Sequence, residues 1–375
     1  MSNGFSWRST LVAPLLLAAC ASEQPEAGAV AAWTLAQNLS IGGADEGPRS
    51  FSDIRGIAAD SRGRIYVLEA QEQQVRVFGP DGQFVRQLGR NGDGPGEFRG
   101  ANGLAIDVAD RLWVYDPRAR RVTIFDSSGA VSGTHLLQVS SYGYVWPGTI
   151  DSSGRLYDQQ GTRVDTTWVP FIRRIDLVGG TADTLAMPTC PANITPPYAF
   201  RSERGGGVMG VPFAGERYMR LDPRGFIWCG DTRELRLSQF VLGDSVPIRE
   251  ISAEALPAPV TAEERDTAIA EVRRFGAGAN WDPDFSLIPE TRPIVEALDF
   301  DDQGRTWVRA ATSAGSQLFV FDTAGRHVAI ARFPVEAPRW FPLVIAGDQI
   351  HAIISDSLDV PGVVRFRVSR AEKDR

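Results

Sequence analysis

The chain has 375 residues, 43% of them hydrophobic and 23% charged, with a formal net charge of −7. That apolar content suits a folded core and excludes a disordered chain. The acidic balance argues against a nucleic-acid partner, which would need a basic face to displace counterions from phosphates.

Residues 1–19 read as a leader. Arg8 precedes an apolar run, Leu11 to Ala19, which is too short to span a bilayer but suits the core of a signal peptide. The run ends in LAAC, Leu17 to Cys20, which resembles the bacterial lipoprotein cleavage box, whose cysteine becomes the lipid-modified first residue. An ordinary secretory leader with a chance cysteine is the competing reading. Ala21 is not the aspartate linked to inner-membrane retention, so an outer-membrane lipoprotein, periplasmic or surface-exposed, is expected. Residues 20–32 then form the lipidated cysteine and a flexible tether.

From residue 33 to 370 the chain repeats. Residues 56–82 and 103–129 align at an offset of 47, pairing Asp60 with Asp107, Val67 with Val114, Phe78 with Phe125 and Gly82 with Gly129. Short alternating apolar runs separated by Asp-x-x-Gly and Pro-Asp-Gly turns predict a four-stranded antiparallel meander in each unit. The Asp-x-x-Gly anchor recurs at Asp151, Asp222 and Asp301, with a tighter version at Gly347, giving six units. Two long gaps are insertions. The first, about 187–216, is rich in Pro and Gly and reads as a long loop. The second, about 252–292, holds a surface helix with a Thr261/Glu264 capping box, an apolar stripe of Ile269, Val272 and Phe275, and a Gly276 stop. Residues 371–375 are a C-terminal tail.

Six four-stranded units predict an all-β fold, a six-bladed β-propeller with one inserted helix. A sandwich or an open repeat array is the competing arrangement. The ring must close, and WTLAQNLSIGG, Trp33 to Gly43, aligns at the same offset with an outer strand. It should complete the blade whose other strands lie near 341–345, 349–354 and 363–368.

The segment GRNGDGPGEF, Gly89 to Phe98, has the glycines of a phosphate loop but neither GxxxxGK[ST] nor GxGxxG spacing, and Pro95 spoils an EF-hand. It lies over GGADEGPRSF, Gly42 to Phe51, at the repeat offset, so it is expected to be the seam that carries the chain between blades.

The run from Gly89 to Gly129 resembles an NHL-type propeller repeat, and the chain is similar to the six-bladed β-propeller lipoproteins of bacteria. The resemblance covers Ile41 to Gly129 well and is traceable to about residue 368. It implies the fold and says little of function, because propellers host unrelated chemistries.

In such a ring the residue before each innermost strand faces the mouth of the central channel. Five residues before each anchor stand Arg55, Asn102, Trp146, Arg217 and Glu296, with Trp340 as the sixth counterpart. Together they would make a polar mouth with aromatic walls, suited to a small polar ligand, a peptide or a protein. The acids that end the second strands, Glu69, Asp116 and Asp231, recur and are expected to cap backbone N–H groups. PRARR, Pro117 to Arg121, could bind an anion or partner but more simply forms a solvated edge.

Cys190 and Cys229 could form a disulfide in an oxidising compartment, or Cys229 could be a buried free thiol. The three histidines, His135, His327 and His351, fall on outer or second strands and are not expected to converge on zinc. No cofactor is expected; a calcium site made from carboxylates and Asn102 is possible but has no distinctive spacing. No catalytic residues are identified. The expected function is a monomeric, lipid-anchored binding or scaffolding module. The alternative is a metal-dependent propeller enzyme, lactonase-like or lyase-like, with its site at the mouth.

Overall fold

Each repeat is organised by one turn. The carboxylate of Asp60 accepts hydrogen bonds from the backbone N–H groups of Arg62 and Arg64, from Arg64 Nε and from the Tyr66 hydroxyl. Asp107, Asp151, Asp222 and Asp301 do the same work, with Trp113, Tyr157, Trp228 and Trp307 as the ring donors six residues on. Glycines at 63, 154, 225 and 304 supply the left-handed residue that closes this turn. One buried carboxylate thus satisfies several donors and ties the first strand of a blade to its second.

The computed structural model describes residues 30–43, 46–137, 149–164, 167–190, 194–202, 205–277 and 281–370. The first strand is β1 (Ala31–Ile41). Blade 1 follows as β2 (Ile54–Ala59), β3 (Ile65–Glu69), β4 (Gln74–Phe78) and β5 (Phe84–Leu88). Blade 2 is β6 (Gly103–Ile106), β7 (Leu112–Asp116), β8 (Arg121–Phe125) and β9 (Val131–Leu136). Blade 3 is β10 (Thr149–Ile150), β11 (Leu156–Val164), β12 (Thr167–Asp176) and β13 (Thr181–Ala186). A hairpin, β14 (Tyr198–Ser202) and β15 (Gly205–Met209), precedes blade 4, which is β16 (Arg217–Leu221), β17 (Phe226–Asp231), β18 (Arg236–Val241) and β19 (Pro247–Ser252). Helix α1 (Ala262–Phe275) precedes blade 5, β20 (Val295–Phe300), β21 (Thr306–Thr312), β22 (Gly315–Phe321) and β23 (His327–Arg332). Blade 6 has β24 (Val344–Ala346), β25 (Gln349–Ser355) and β26 (Pro361–Arg370).

The fourth strand of blade 6 is β1. It pairs antiparallel with β26 from Trp33↔Arg370 to Ile41↔Val363, so the N-terminal strand closes the ring as expected, starting at Ala31 rather than Trp33. Its first residues also pair in parallel with β23, from Ala31↔Ala329 to Trp33↔Ala331, joining blades 5 and 6 edge to edge. Trp33 lies 5.6 Å from Trp307 with the guanidinium groups of Arg305 and Arg370 over its ring. Between blades the core is apolar and layered, Leu68, Val75, Leu88 and Phe98 meeting Val114 and Phe125 from blade 2.

The seams behave as the repeat predicts. Gly89 has φ +77°, and any side chain there would collide with the ring of Phe98, which is fully buried between blades 1 and 2. Glu97 closes the loop on itself, accepting from Gly94 N–H at 2.7 Å and pairing with Arg90 at 2.6 Å. Arg121 donates to the carbonyls of Asp93 at 2.9 Å, Gly94 and Glu97, so the last arginine of PRARR is committed to the seam.

The insertions depart from expectation in three respects. Residues 187–216 contain the β14–β15 hairpin as well as loop, because Tyr198↔Met209 to Ser202↔Gly205 pair across a tight reversal. Helix α1 carries the capping box at Thr261 and Glu264, but its buried stripe is Ala268 and Val272, while Phe275 is half exposed. Gly276 ends the helix at φ −89°, outside the left-handed region; it is glycine because the Trp281 indole packs against its Cα.

A disulfide joins Cys190, at the start of the first insertion, to Cys229 on β17, both buried. It is the bond of an oxidising compartment. Among the described residues no helix is long and apolar enough to cross a membrane.

Candidate functional site

Both insertions lie in connections from an outer strand to the next inner strand, and therefore emerge on the same face of the ring. They pack on each other. Tyr198, Val211, Val272 and Ile288 form a small core, with Met209, Ile269, Trp281 and Phe285 around it. The Tyr198 hydroxyl donates to the Asp284 carbonyl at 3.0 Å, and Arg265 donates to the carbonyls of Phe285 and Ile288 at 2.8 Å. Two breaks in the repeat thus build one cap beside the channel mouth.

Recurring acids on this face are structural. Glu69, buried, accepts from the backbone N–H groups of Ser52, Asp53 and Gln71, and Asp116, buried, from those of Arg99 and Ala119. Asp231 accepts from Arg233 N–H at 3.0 Å.

The six expected mouth residues divide. Arg55 and Glu296 occupy one backbone position, the extra residue of a β-bulge in the first strand of blades 1 and 5. Arg55 is paired with Asp53 at 2.7 Å in its own loop. Asn102 is buried, its N–H bonded to the Tyr115 carbonyl at 3.0 Å. Arg217 is exposed on the rim, opposite Asp231 in the ladder. Trp146 lies outside the described residues, as does Cys20. Glu296 and Trp340 come together, as walls of one cavity of about 780 Å³ between the cap and blades 5 and 6.

That cavity gathers residues from well-separated parts of the chain. Glu264 and Arg292 come from the cap, Glu296 and Arg309 from blade 5, Glu336 and Trp340 from the seam into blade 6, and Asp356 and Asp359 from the turn between β25 and β26. Its two arginines are already engaged. Arg292 pairs with Glu264 and stacks 5.2 Å from the Phe213 ring. Arg309 is buried, with Nε 3.0 Å from Asp299 Oδ2, and donates to the carbonyl of Phe341 at 2.7 Å. Glu296 makes no hydrogen bond or ion pair among the described residues, and Trp340 is 62% exposed. Burial pushes the Glu296 carboxyl above its ordinary range, against the pull of Arg309, Arg292 and Arg339. An exposed ion pair, Arg339 with Glu216 at 2.8 Å, links this seam to the start of blade 4.

Asp299, the partner of Arg309, lines a second space. A cavity of about 280 Å³ fills the central channel and touches the first strand of every blade, through Ile57, Leu104, Thr149, Arg220, Asp299 and Val344. Asp299 accepts from Leu343 N–H at 2.8 Å. Burial raises its pKa in spite of Arg309 and Arg220. The three histidines stand apart: His135 on β9, His327 on β23 stacked 5.1 Å from Phe321, and His351 buried on β25. Among the described residues no three His, Cys, Asp or Glu side chains gather closely enough to hold a metal.

Sequence reasoning missed the cap, Arg292, Arg309, Asp299 and Arg220. The available signal was charge within the short apolar first strands, in RYMRL and VEALDF, where each ionisable residue must find a partner or a cavity.

A sequence family described as a 6-bladed beta-propeller matches residues 50–148. No curated protein matches the chain. Among solved structures, a Bacteroides fragilis protein described as an inferred exported protein superposes with a TM-score of 0.50 at 13% identity, covering 91% of this chain and 96% of its own. Virginiamycin B lyase from Staphylococcus aureus gives 0.45 at 12% identity over 89% and 99% of the two chains. A gluconolactonase from Xanthomonas campestris gives 0.43 at 13% identity over 85% and 87%. At such identities the likeness is one of fold.

Proposed function

We propose that the chain is a lipid-anchored, extracytoplasmic binding module whose ligand sits in the cavity between the cap and blades 5 and 6. The observation that carries this reading is Glu296, a half-buried carboxylate with no hydrogen bond or ion pair among the described residues, beside an exposed tryptophan, in a cavity whose arginines are already committed. Such a site suits a small polar ligand, or a peptide or protein segment, that offers Glu296 a hydrogen-bond donor or positive group and lays an apolar face on Trp340. Arg55 and Arg217 would extend the contact around the rim. The Cys190–Cys229 disulfide supports the oxidising compartment that the leader implies.

The test uses the soluble chain from Ser22. A thermal-shift screen against amines, sugars and short peptides should yield stabilising ligands whose effect is lost in both Glu296→Gln and Trp340→Ala. Ligands that stabilise these two variants as well as the parent would sink the site. Metal analysis of the same protein discriminates the rival: a stoichiometric bound divalent ion would favour a propeller enzyme of lactonase or lyase type.

A further inference from the structure

We infer a second binding site, in the central channel, for a small monocarboxylate with an apolar body. Four charges of alternating sign run inward from the cap: Glu296, Arg309, Asp299 and Arg220. The middle two form a buried ion pair, Arg309 Nε standing 3.0 Å from Asp299 Oδ2. The outer two are left over. Glu296 faces the cavity under the cap, and Arg220 lines the channel cavity.

Arg220 is the informative member. It makes no hydrogen bond or ion pair among the described residues, and its Nε is shut off from solvent. Asp299 attracts it without a hydrogen bond, and that carboxylate is also paired with Arg309 and accepts from the Leu343 N–H at 2.8 Å. The lining of the channel cavity carries one cation, Arg220, and one anion, Asp299, and Asp299 is shared with Arg309. Arg220 is partly buried, and a carboxylate offers a guanidinium without an acceptor two parallel charge-assisted hydrogen bonds.

The walls select the rest of the ligand. Apart from Arg220, Asp299 and Thr149 the cavity is lined by apolar side chains and backbone, with Ile57, Leu104, Ile106 and Phe300 the largest. Its volume of about 280 Å³ equals roughly nine waters at ~30 Å³ each, room for a short alkyl or single aromatic body. Arg220 is the one cation in the lining and matches a monoanion; a dianion would bring a second charge beside Asp299 and apolar walls. Ala59, Ile106 and Pro223, at or beyond the ends of first strands, extend the lining toward the face opposite the cap. The buried Arg309–Asp299 pair separates this site from the one beneath the cap.

Isothermal titration of the soluble protein with sodium hexanoate and sodium benzoate, in a carboxylate-free buffer, tests the inference. Saturable one-to-one binding is expected, with hexanamide and benzamide weaker by about tenfold or more, the worth of a charge-assisted hydrogen bond. Arg220→Gln should weaken the acids by a similar factor while Arg220→Lys retains part of the affinity. Ile106→Phe narrows the channel without touching Arg220 and must also weaken binding, which keeps the test open should Arg220→Gln fail to fold. Amides that bind as well as acids, affinity undiminished in both Arg220→Gln and Ile106→Phe, or no binding of either acid to the folded parent would overturn it.

Discussion

Acidification should destabilise the ring through one imidazole in the blade that closes it. His351 on β25 is 2% exposed; Nδ1 lies 3.3 Å from the Val344 carbonyl, and Nε2 is sealed away from any partner. Burial, helped by Arg365 on β26 and opposed by the Val344 carbonyl, pulls its pKa from 6.5 down to about 4. The folded chain therefore binds this proton less readily than the unfolded chain. Its contribution is fully present above the unfolded value and is lost as pH falls from 6.5 toward 4. At about pH 4.5 the unfolded imidazole is almost wholly protonated and the folded one only about a quarter, a difference of ~2.5 kcal/mol. Glu296 and Asp299, whose pKa values burial raises, act with the opposite sign, and His327, also lowered by burial, acts with the same sign. The parent is therefore compared with His351→Leu, in which these groups remain. Urea denaturation followed by tryptophan fluorescence at about pH 7.5 and about pH 4.5 should show the parent losing ~2.5 kcal/mol more than the variant. Equal losses in the two proteins would show that His351 is not buried in its neutral form.

Three further outcomes follow from the architecture. A chain beginning at Gly42 lacks β1 and leaves β26 as an open edge, so it should lose cooperative thermal unfolding by circular dichroism; an unchanged melting temperature would refute closure by this strand. The disulfide closes a loop of sequence separation 39, worth at most about 4 kcal/mol in the chain-entropy account, and Cys190→Ser with Cys229→Ser should cost 2 to about 4 kcal/mol in denaturant unfolding. Gly89→Ala should cost ~2 kcal/mol more than Gly43→Ala, since both backbones are left-handed but only position 89 meets the Phe98 ring; equal costs would refute the packed seam.

The fold was legible because its repeating element is local. An Asp-anchored turn whose carboxylate accepts from N–H groups two and four residues on leaves the same trace in the sequence when it is rebuilt, as do Phe51 and Phe98, which plug successive seams. The cap left no such trace. It is made by two insertions separated by the whole of blade 4, and only their shared position in outer-to-inner connections brings Tyr198 onto Val272. Its cavity was illegible for the same reason, since Glu264, Arg309 and Asp356 share neither spacing nor motif. Gly276 ends the helix as its position implied, but a glycine after a helix has two physical explanations, backbone handedness and close approach, and here the Trp281 ring supplies the second.

Within a repeat protein, recurrence separates architecture from candidate function. The anchor position is aspartate in blades 1 to 5 because each blade needs the same turn closed. The bulge position does not recur in chemistry: the same backbone irregularity carries Arg55 in blade 1 and Glu296 in blade 5, so the bulge itself demands neither charge. Arg55 is then accounted for by Asp53, as Arg121 and Arg309 are by seam carbonyls and Asp299. Glu296 and Arg220 are left with no structural demand that explains them. A ring whose closure already depends on burial and backbone pairing does not need two partly buried charges that make no hydrogen bond or ion pair among the described residues, and each of them faces a cavity. Residues that differ between equivalent positions and have no partner are where ligand recognition can be added to a propeller without altering how it folds.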